Sequence, residues 1–135
     1  MQPSKLSSNL EDIITIYRSQ NCPLETLNKE IEKVLTLKRP TLIIGDFNFC
    51  YKEQKTSTKA FLESYNFIQL ITNPTHIGGH ILDQAYFSAG LGDMECTAET
   101  HAKYYSDHRG LLINLTKKVY ISYHHLSSNL FNDLL

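Results

Sequence analysis

Thr41-Leu42-Ile43-Ile44-Gly45-Asp46-Phe47-Asn48 (TLIIGDFN, residues 41–48) is the most informative run of the chain. Its first four residues show almost no polar alternation, the pattern of a strand buried on both faces. Gly45 suits a sharp exit from that strand. Asp46 and Asn48 follow, two apart, and in open α/β sheets sites form at the ends of strands. The same spacing also reads as an Asx-type turn, in which a short polar side chain bonds its own backbone.

Upstream, residues 13–17 (IITIY) form a β-branched run that reads as a strand. Asn21-Cys22-Pro23 breaks it, and Pro23 suits the start of a helix. Leu24, Leu27, Ile31, Val34 and Leu35 then recur at helical spacing, with Lys29, Glu30 and Lys33 between them. Lys38-Arg39-Pro40 closes this amphipathic helix. Downstream, a second helix is expected over residues 56–65, with Phe61, Leu62 and Tyr65 inward. Strands are expected over residues 67–71, 81–88, 94–99 and 110–115, and Asn73-Pro74 and Gly78-Gly79 mark a loop. This order gives an α/β fold class: a mixed β-sheet with flanking helices.

The chain has 135 residues, enough for one domain. Lys plus Arg number 13 and Asp plus Glu 14, so overall charge gives no electrostatic argument for nucleic acid or an anionic membrane. A local basic groove remains open, and Lys52, Lys55 and Lys59 are its candidates. Three cysteines without regular spacing, Cys22, Cys50 and Cys96, point to a reducing compartment. The acids near the N-terminus and the lack of an apolar stretch there argue against a secretory signal. No apolar run nears the ~20 residues of a membrane span. An intracellular protein, nuclear or cytoplasmic, with no membrane partner is expected. Residues 1–12 read as a lead-in, 13–116 as a partial domain and 117–135 as a tail, either a docking helix or a loose end.

Two further segments carry chemistry. Asp83 lies inside Ile81-Leu82-Asp83-Gln84-Ala85-Tyr86-Phe87, where alternation puts it on the face of Ile81, Ala85 and Phe87. A carboxylate there needs a partner, because a bare buried charge is too costly. Ser106-Asp107-His108 stands just before the last expected strand, and histidine is the usual proton-transfer group near neutral pH. If Asp46, Asp83 and Asp107 converge, they require a metal, a cationic histidine or a shared proton. His76 and His80 flank Gly78-Gly79 but are two ligands short of a zinc site.

Taken in order, Tyr17-Arg18 at a strand end, GDFN, LDQAYFS and SDH resemble the endonuclease/exonuclease/phosphatase superfamily, and within it the endonuclease domains of retrotransposon-type mobile elements. The resemblance spans about residues 13–115. It implies metal-dependent hydrolysis of a phosphodiester in nucleic acid, DNA by preference, with Mg²⁺ or Mn²⁺. It implies that Asp46 orients or deprotonates the attacking water and that Asn48 holds that water or a phosphate oxygen. His108 would stabilise the charge on the scissile phosphate, Asp83 would orient His108, and Tyr17 would reach the phosphate. Asp107 and Asp46 would lie at the metal. Thr75 and His76 would belong to a polar loop near the nucleic acid.

The first half of such a domain supplies an Asn and a Glu that have no counterpart here; Glu11 is the nearest acid. The chain thus resembles the second half of a four-layer α/β sandwich. One sheet face would lack its cover, so self-association or a separately supplied N-terminal half is expected, with weak or no activity for the chain alone. The alternatives are a non-catalytic relic or interaction module, and a phosphatase of the same superfamily. Leu82-Asp83-Gln84 stands where phosphoinositide phosphatases carry an aromatic-Asp-Arg segment, which favours the nuclease.

Overall fold

The computed structural model describes residues 12–51, 57–88, 94–103 and 105–117. It contains strands β1 (Asp12–Tyr17), β2 (Thr41–Asp46), β3 (Phe67–Gln69), β4 (Asp83–Ser88), β5 (Met94–His101) and β6 (Gly110–Lys117), with helices α1 (Leu24–Val34) and α2 (Ser57–Ser64). The mixed α/β class therefore holds. The calls for residues 1–11 and for the tail beyond 117 lie outside the described residues, as do Glu11, Lys52 and Lys55.

The main sheet has the order β1-β2-β4-β3, and β5 and β6 form a separate antiparallel pair. β1 runs parallel to β2, joined through α1; β4 is antiparallel to both β2 and β3. The two faces of the sheet have different covers. Ile43 and Tyr86 face the helices, in a core with Leu27 and Ile31 of α1, Leu62 of α2, Phe47, Phe49 and Phe67. Leu42, Ala85 and Phe87 face the other way, against Cys96 and Ala98 of β5 and Ile113 and Leu115 of β6. Alternation along β2 and β4 separates the two sets. With a cover on each face, residues 84–88 of β4 are all buried.

The expected loss of a whole sheet cover is corrected here. β5 and β6 cover the middle of the sheet, and both flanks of that face are open: Ile13 is 60% and Tyr17 77% exposed on β1, and Ile68 56% on β3. Val34, expected to face inward, is exposed on the β1 side of the molecule. α1 ends at Val34 and Leu37 takes a positive φ of 56°, so the helix stops before Pro40 instead of at it. β3 is shorter than expected because the Gln69 amide folds onto Ile71, taking both its N–H and its carbonyl away from the ladder. β4 starts at Asp83, leaving Ile81 before the strand.

Gly45 is also corrected. It lies within β2, not beyond its end, and pairs with Ile16 on one side and Gln84 on the other. A Cβ there would stand 1.8 Å from the Ile16 carbonyl oxygen. Its role is close approach of two strands.

Candidate catalytic site

Strand register builds the site. Tyr17 is the partner of Asp46 across β1 and β2, and Asp46 is the partner of Asp83 across β2 and β4. The three form one row near the ends of three adjacent strands. By alternation they share the face of Leu42, Ala85 and Phe87, the face that carries β5 and β6.

Asp46 does two things at once. Its Oδ1 accepts the Asn48 backbone N–H at 3.0 Å, so the Asx turn is real. Its carboxylate also clusters with the Asp83 carboxylate and the His108 imidazole, one ligand atom from each lying within 4.8 Å of the others. Asn48 sits in the left-handed region, φ 52°, which Asn tolerates better than most residues. Its Nδ2 donates one proton to the Arg18 carbonyl at 2.6 Å. A second amide proton and the amide oxygen are left for a water or a phosphate oxygen.

Asp83 accepts a 2.6 Å hydrogen bond from His108 Nδ1, the partner its position in an apolar strand requires. Asp83 is 16% and His108 32% exposed at the side chain. This bond turns His108 Nε2 away from Asp83, where it can donate when the ring is protonated. The bond to Asp83 raises the His108 pKa above its ordinary 6.5; partial burial opposes the rise, and the charges of Asp83, Asp46 and Asp107 add to it. A cationic His108 offsets the repulsion between Asp46 and Asp83, of order 3–4 kcal/mol at ~5 Å and an effective dielectric of about 20, before solvent screening.

The loop around His108 is fastened to the 75–80 loop. His76 and His108 form an isolated antiparallel bridge; Arg109 N–H donates to the Thr75 carbonyl at 2.7 Å and Ile77 N–H to the Asp107 carbonyl at 3.0 Å. The Ser106 hydroxyl accepts the His108 N–H at 3.1 Å.

Asp107 falls in a second cluster, with His76 and His108, and not in that of Asp46 and Asp83. His76 Nδ1 accepts the Gly78 N–H at 3.0 Å, so the neutral ring carries its proton on Nε2, which faces Asp107 at 3.3 Å. A metal at His76, Asp107 and His108 would have to displace the Nε2 proton that His76 turns toward Asp107. Asp46 and Asp107 offer hard carboxylate oxygens, the donors that Mg²⁺ or Mn²⁺ prefers. Lys59, a candidate for the phosphate backbone, places its ammonium 4.5 Å from the centre of the Tyr51 ring.

Three supporting residues act in ways that the sequence does not indicate. The Arg18 guanidinium donates to the Phe47, Asn48 and Cys22 carbonyls at 2.9, 3.1 and 2.8 Å, clamping the turn that carries Asp46. Thr75, expected to face nucleic acid, is fully buried, and its hydroxyl accepts the N–H groups of Leu82 and Asp83 at 3.0 Å each. It fixes the start of β4. Buried Gln84 donates to the Phe49 and Ile81 carbonyls and accepts the Tyr86 hydroxyl at 2.6 Å.

Asp83→Asn is expected to lower the His108 pKa, read from the imidazole proton shifts in metal-free buffer. The sign for stability follows. A raised folded-state pKa gives a contribution fully present below the ordinary histidine value and lost as pH rises through the raised one. The parent's melting temperature should therefore fall more steeply than that of Asp83→Asn in that window. Equal histidine titration in the two proteins would contradict the pairing.

The sequence profile described as endonuclease-reverse transcriptase matches residues 12–112. No curated protein matches the chain. Among solved structures, the Haemophilus ducreyi cytolethal distending toxin is similar, with 18% identity and a TM-score of 0.49. The match covers 79% of this chain and 48% of the toxin chain, so the protein spans about half that length. No described helix is long and apolar enough to cross a membrane.

Proposed function

The chain belongs to the endonuclease-reverse transcriptase family, and from that premise we propose that it hydrolyses a nucleic-acid phosphodiester, DNA by preference, with a divalent metal. The observation that carries this reading is the cluster of Asp46, Asp83 and His108, the two carboxylates standing on one row with Tyr17. Asp46 orients and deprotonates the attacking water with the carboxylate oxygen that Asn48 leaves open. Asn48 positions that water or a phosphate oxygen. His108, held by Asp83, donates from Nε2 to a non-bridging phosphate oxygen and offsets the charge gathering there. Tyr17, exposed beside Asp46, contacts the phosphate from the other side.

Asp46 would hold Mg²⁺ or Mn²⁺, which would supply Lewis acidity and charge neutralisation at the phosphate, whereas Asp107, expected beside it, lies in the separate cluster with His76. Activity of the 135-residue chain by itself is expected to be weak. Among the described residues only two carboxylates share the central cluster, and Asp83 is occupied by His108. The phosphatase reading is tested beside this one: with Mg²⁺, bis(4-nitrophenyl) phosphate should be turned over faster than 4-nitrophenyl phosphate. The reverse order would favour a phosphomonoesterase.

A further inference from the structure

By sequence, His76 and His80 lack two further ligands for a zinc ion. The fold supplies two, and sets His80 aside. His76, Asp107 and His108 each bring one ligand atom within 4.8 Å of the other two. They come from two loops, and the backbone sets their spacing. His76 and His108 are partners in the isolated bridge, and the Ile77 N–H bonds the Asp107 carbonyl at 3.0 Å. The two imidazole rings stand 5.2 Å apart, edge to face.

We propose that His76, Asp107 and His108 form a site for a borderline transition metal, Zn²⁺ above all, separate from the Mg²⁺ or Mn²⁺ site at Asp46. The donor set selects the metal. Two imidazoles and one carboxylate suit Zn²⁺, whereas Mg²⁺ prefers oxygen donors throughout. The spacing agrees. Zinc–ligand bonds of about 2.0–2.1 Å in a tetrahedron hold the donors about 3.3 Å apart, and His76 Nε2 stands 3.3 Å from Asp107 Oδ2. His108 offers Nε2, because its Nδ1 is bonded to Asp83 at 2.6 Å. A carboxylate on the far nitrogen is the usual support of a metal-bound histidine; it fixes the ring and raises its basicity. Three protein donors leave the fourth place for water or an anion.

The protons balance. In neutral His108 the ring proton is on Nδ1, toward Asp83, and the Nε2 lone pair is available. From an imidazolium, the Nε2 proton is released to water. In His76 the proton moves from Nε2 to Nδ1, so the Gly78 N–H gives up its bond to that nitrogen. The Gly78-Gly79 turn has room for this: a Cβ at Gly79 would meet nothing within 4 Å. A metal on His108 Nε2 takes the atom that donates to the phosphate in the proposed mechanism, so Zn²⁺ should block turnover supported by Mg²⁺. The blocking rests on that mechanism; the binding does not.

Zn²⁺ affinity of the full chain, measured by competition with a chromophoric zinc chelator, tests the site. His76→Gln and Asp107→Asn should each weaken binding about tenfold or more, since loss of a mere supporting partner already costs that much. His80→Gln and Asp46→Asn should leave it within a few-fold of the parent. Asp107 is exposed, so Asp107→Asn decides if His76→Gln does not fold. Zn²⁺ should also shift the imidazole proton signals of His76 and His108, and not those of His80. Turnover in Mg²⁺ plus Zn²⁺, taken as a fraction of each protein's own turnover in Mg²⁺, should fall for the parent and not for His76→Gln. Affinity indifferent to both ligand substitutions, or lost in Asp46→Asn instead, would overturn the site. Zinc held at these residues with turnover untouched would overturn the blocking of Nε2. A chain without turnover would count against the proposed function, and the affinity series would still decide the site.

Discussion

His108→Ala is expected to lower phosphodiester turnover by about 10²- to 10⁴-fold, which corresponds to roughly 3–5 kcal/mol of barrier. Two effects combine in that number. The Nε2 donor to the phosphate is lost, and so is the cation that Asp83 holds between two facing carboxylates. The second effect has its own signature. With no imidazolium present, the Asp46–Asp83 repulsion is relieved only by protonation or by a metal, so Mg²⁺ should raise the melting temperature of His108→Ala more than that of the parent. Steady-state turnover and thermal unfolding with and without Mg²⁺ measure the two separately. Turnover within a few-fold of the parent would remove His108 from the mechanism.

Gly45→Ala is expected to destabilise the fold by about 3 kcal/mol or more, at the upper end of overpacking losses. The added carbon would meet Ile16 backbone atoms at 1.8, 2.7 and 2.8 Å. Backbone cannot rotate aside as a long side chain can, so β1 must move away from β2. That shift also breaks the row, because Tyr17 and Asp46 are register partners one position further on. Against a typical total of 5–15 kcal/mol the loss is large. Gly79→Ala is the natural control. Gly79 has a φ of 84° but open space around its Cβ position, so only the conformational cost of about 1–2 kcal/mol applies. Urea unfolding of both variants checks the contrast. Comparable losses would mean that close strand approach is not what Gly45 provides.

What could be read from sequence was what lies in short local patterns. The buried strand before Asp46, the helical spacing of Leu27 and Ile31, and the need of Asp83 for a partner all come from residues within a few positions of one another. The contacts that assemble the site span longer distances. Arg18 reaches carbonyls about 30 residues away, and a side chain bonding backbone leaves no trace in residue spacing. The Thr75 hydroxyl bonding two N–H groups of the next strand is hidden in the same way. Gly45 read as a turn because glycine permits turns, whereas its real constraint is a neighbouring strand invisible to local pattern. Asp107 and His108 are adjacent in sequence and so project differently, but which partner each meets is not written in that spacing. Alternating projection sends His108 to Asp83 and Asp107 to His76. The turn and catalytic readings of Asp46 were posed as alternatives, yet one oxygen serves the turn while the carboxylate joins the cluster.

Nicking of supercoiled plasmid DNA by the purified full chain, in Mg²⁺ and in excess EDTA, with Asp46→Ala alongside, tests the central claim most directly. Slow conversion to open circles in Mg²⁺, abolished both by EDTA and by Asp46→Ala, is the predicted result. Nicking that persists in EDTA, or that Asp46→Ala retains in full, would contradict a metal-dependent phosphodiesterase site built on Asp46, Asp83 and His108.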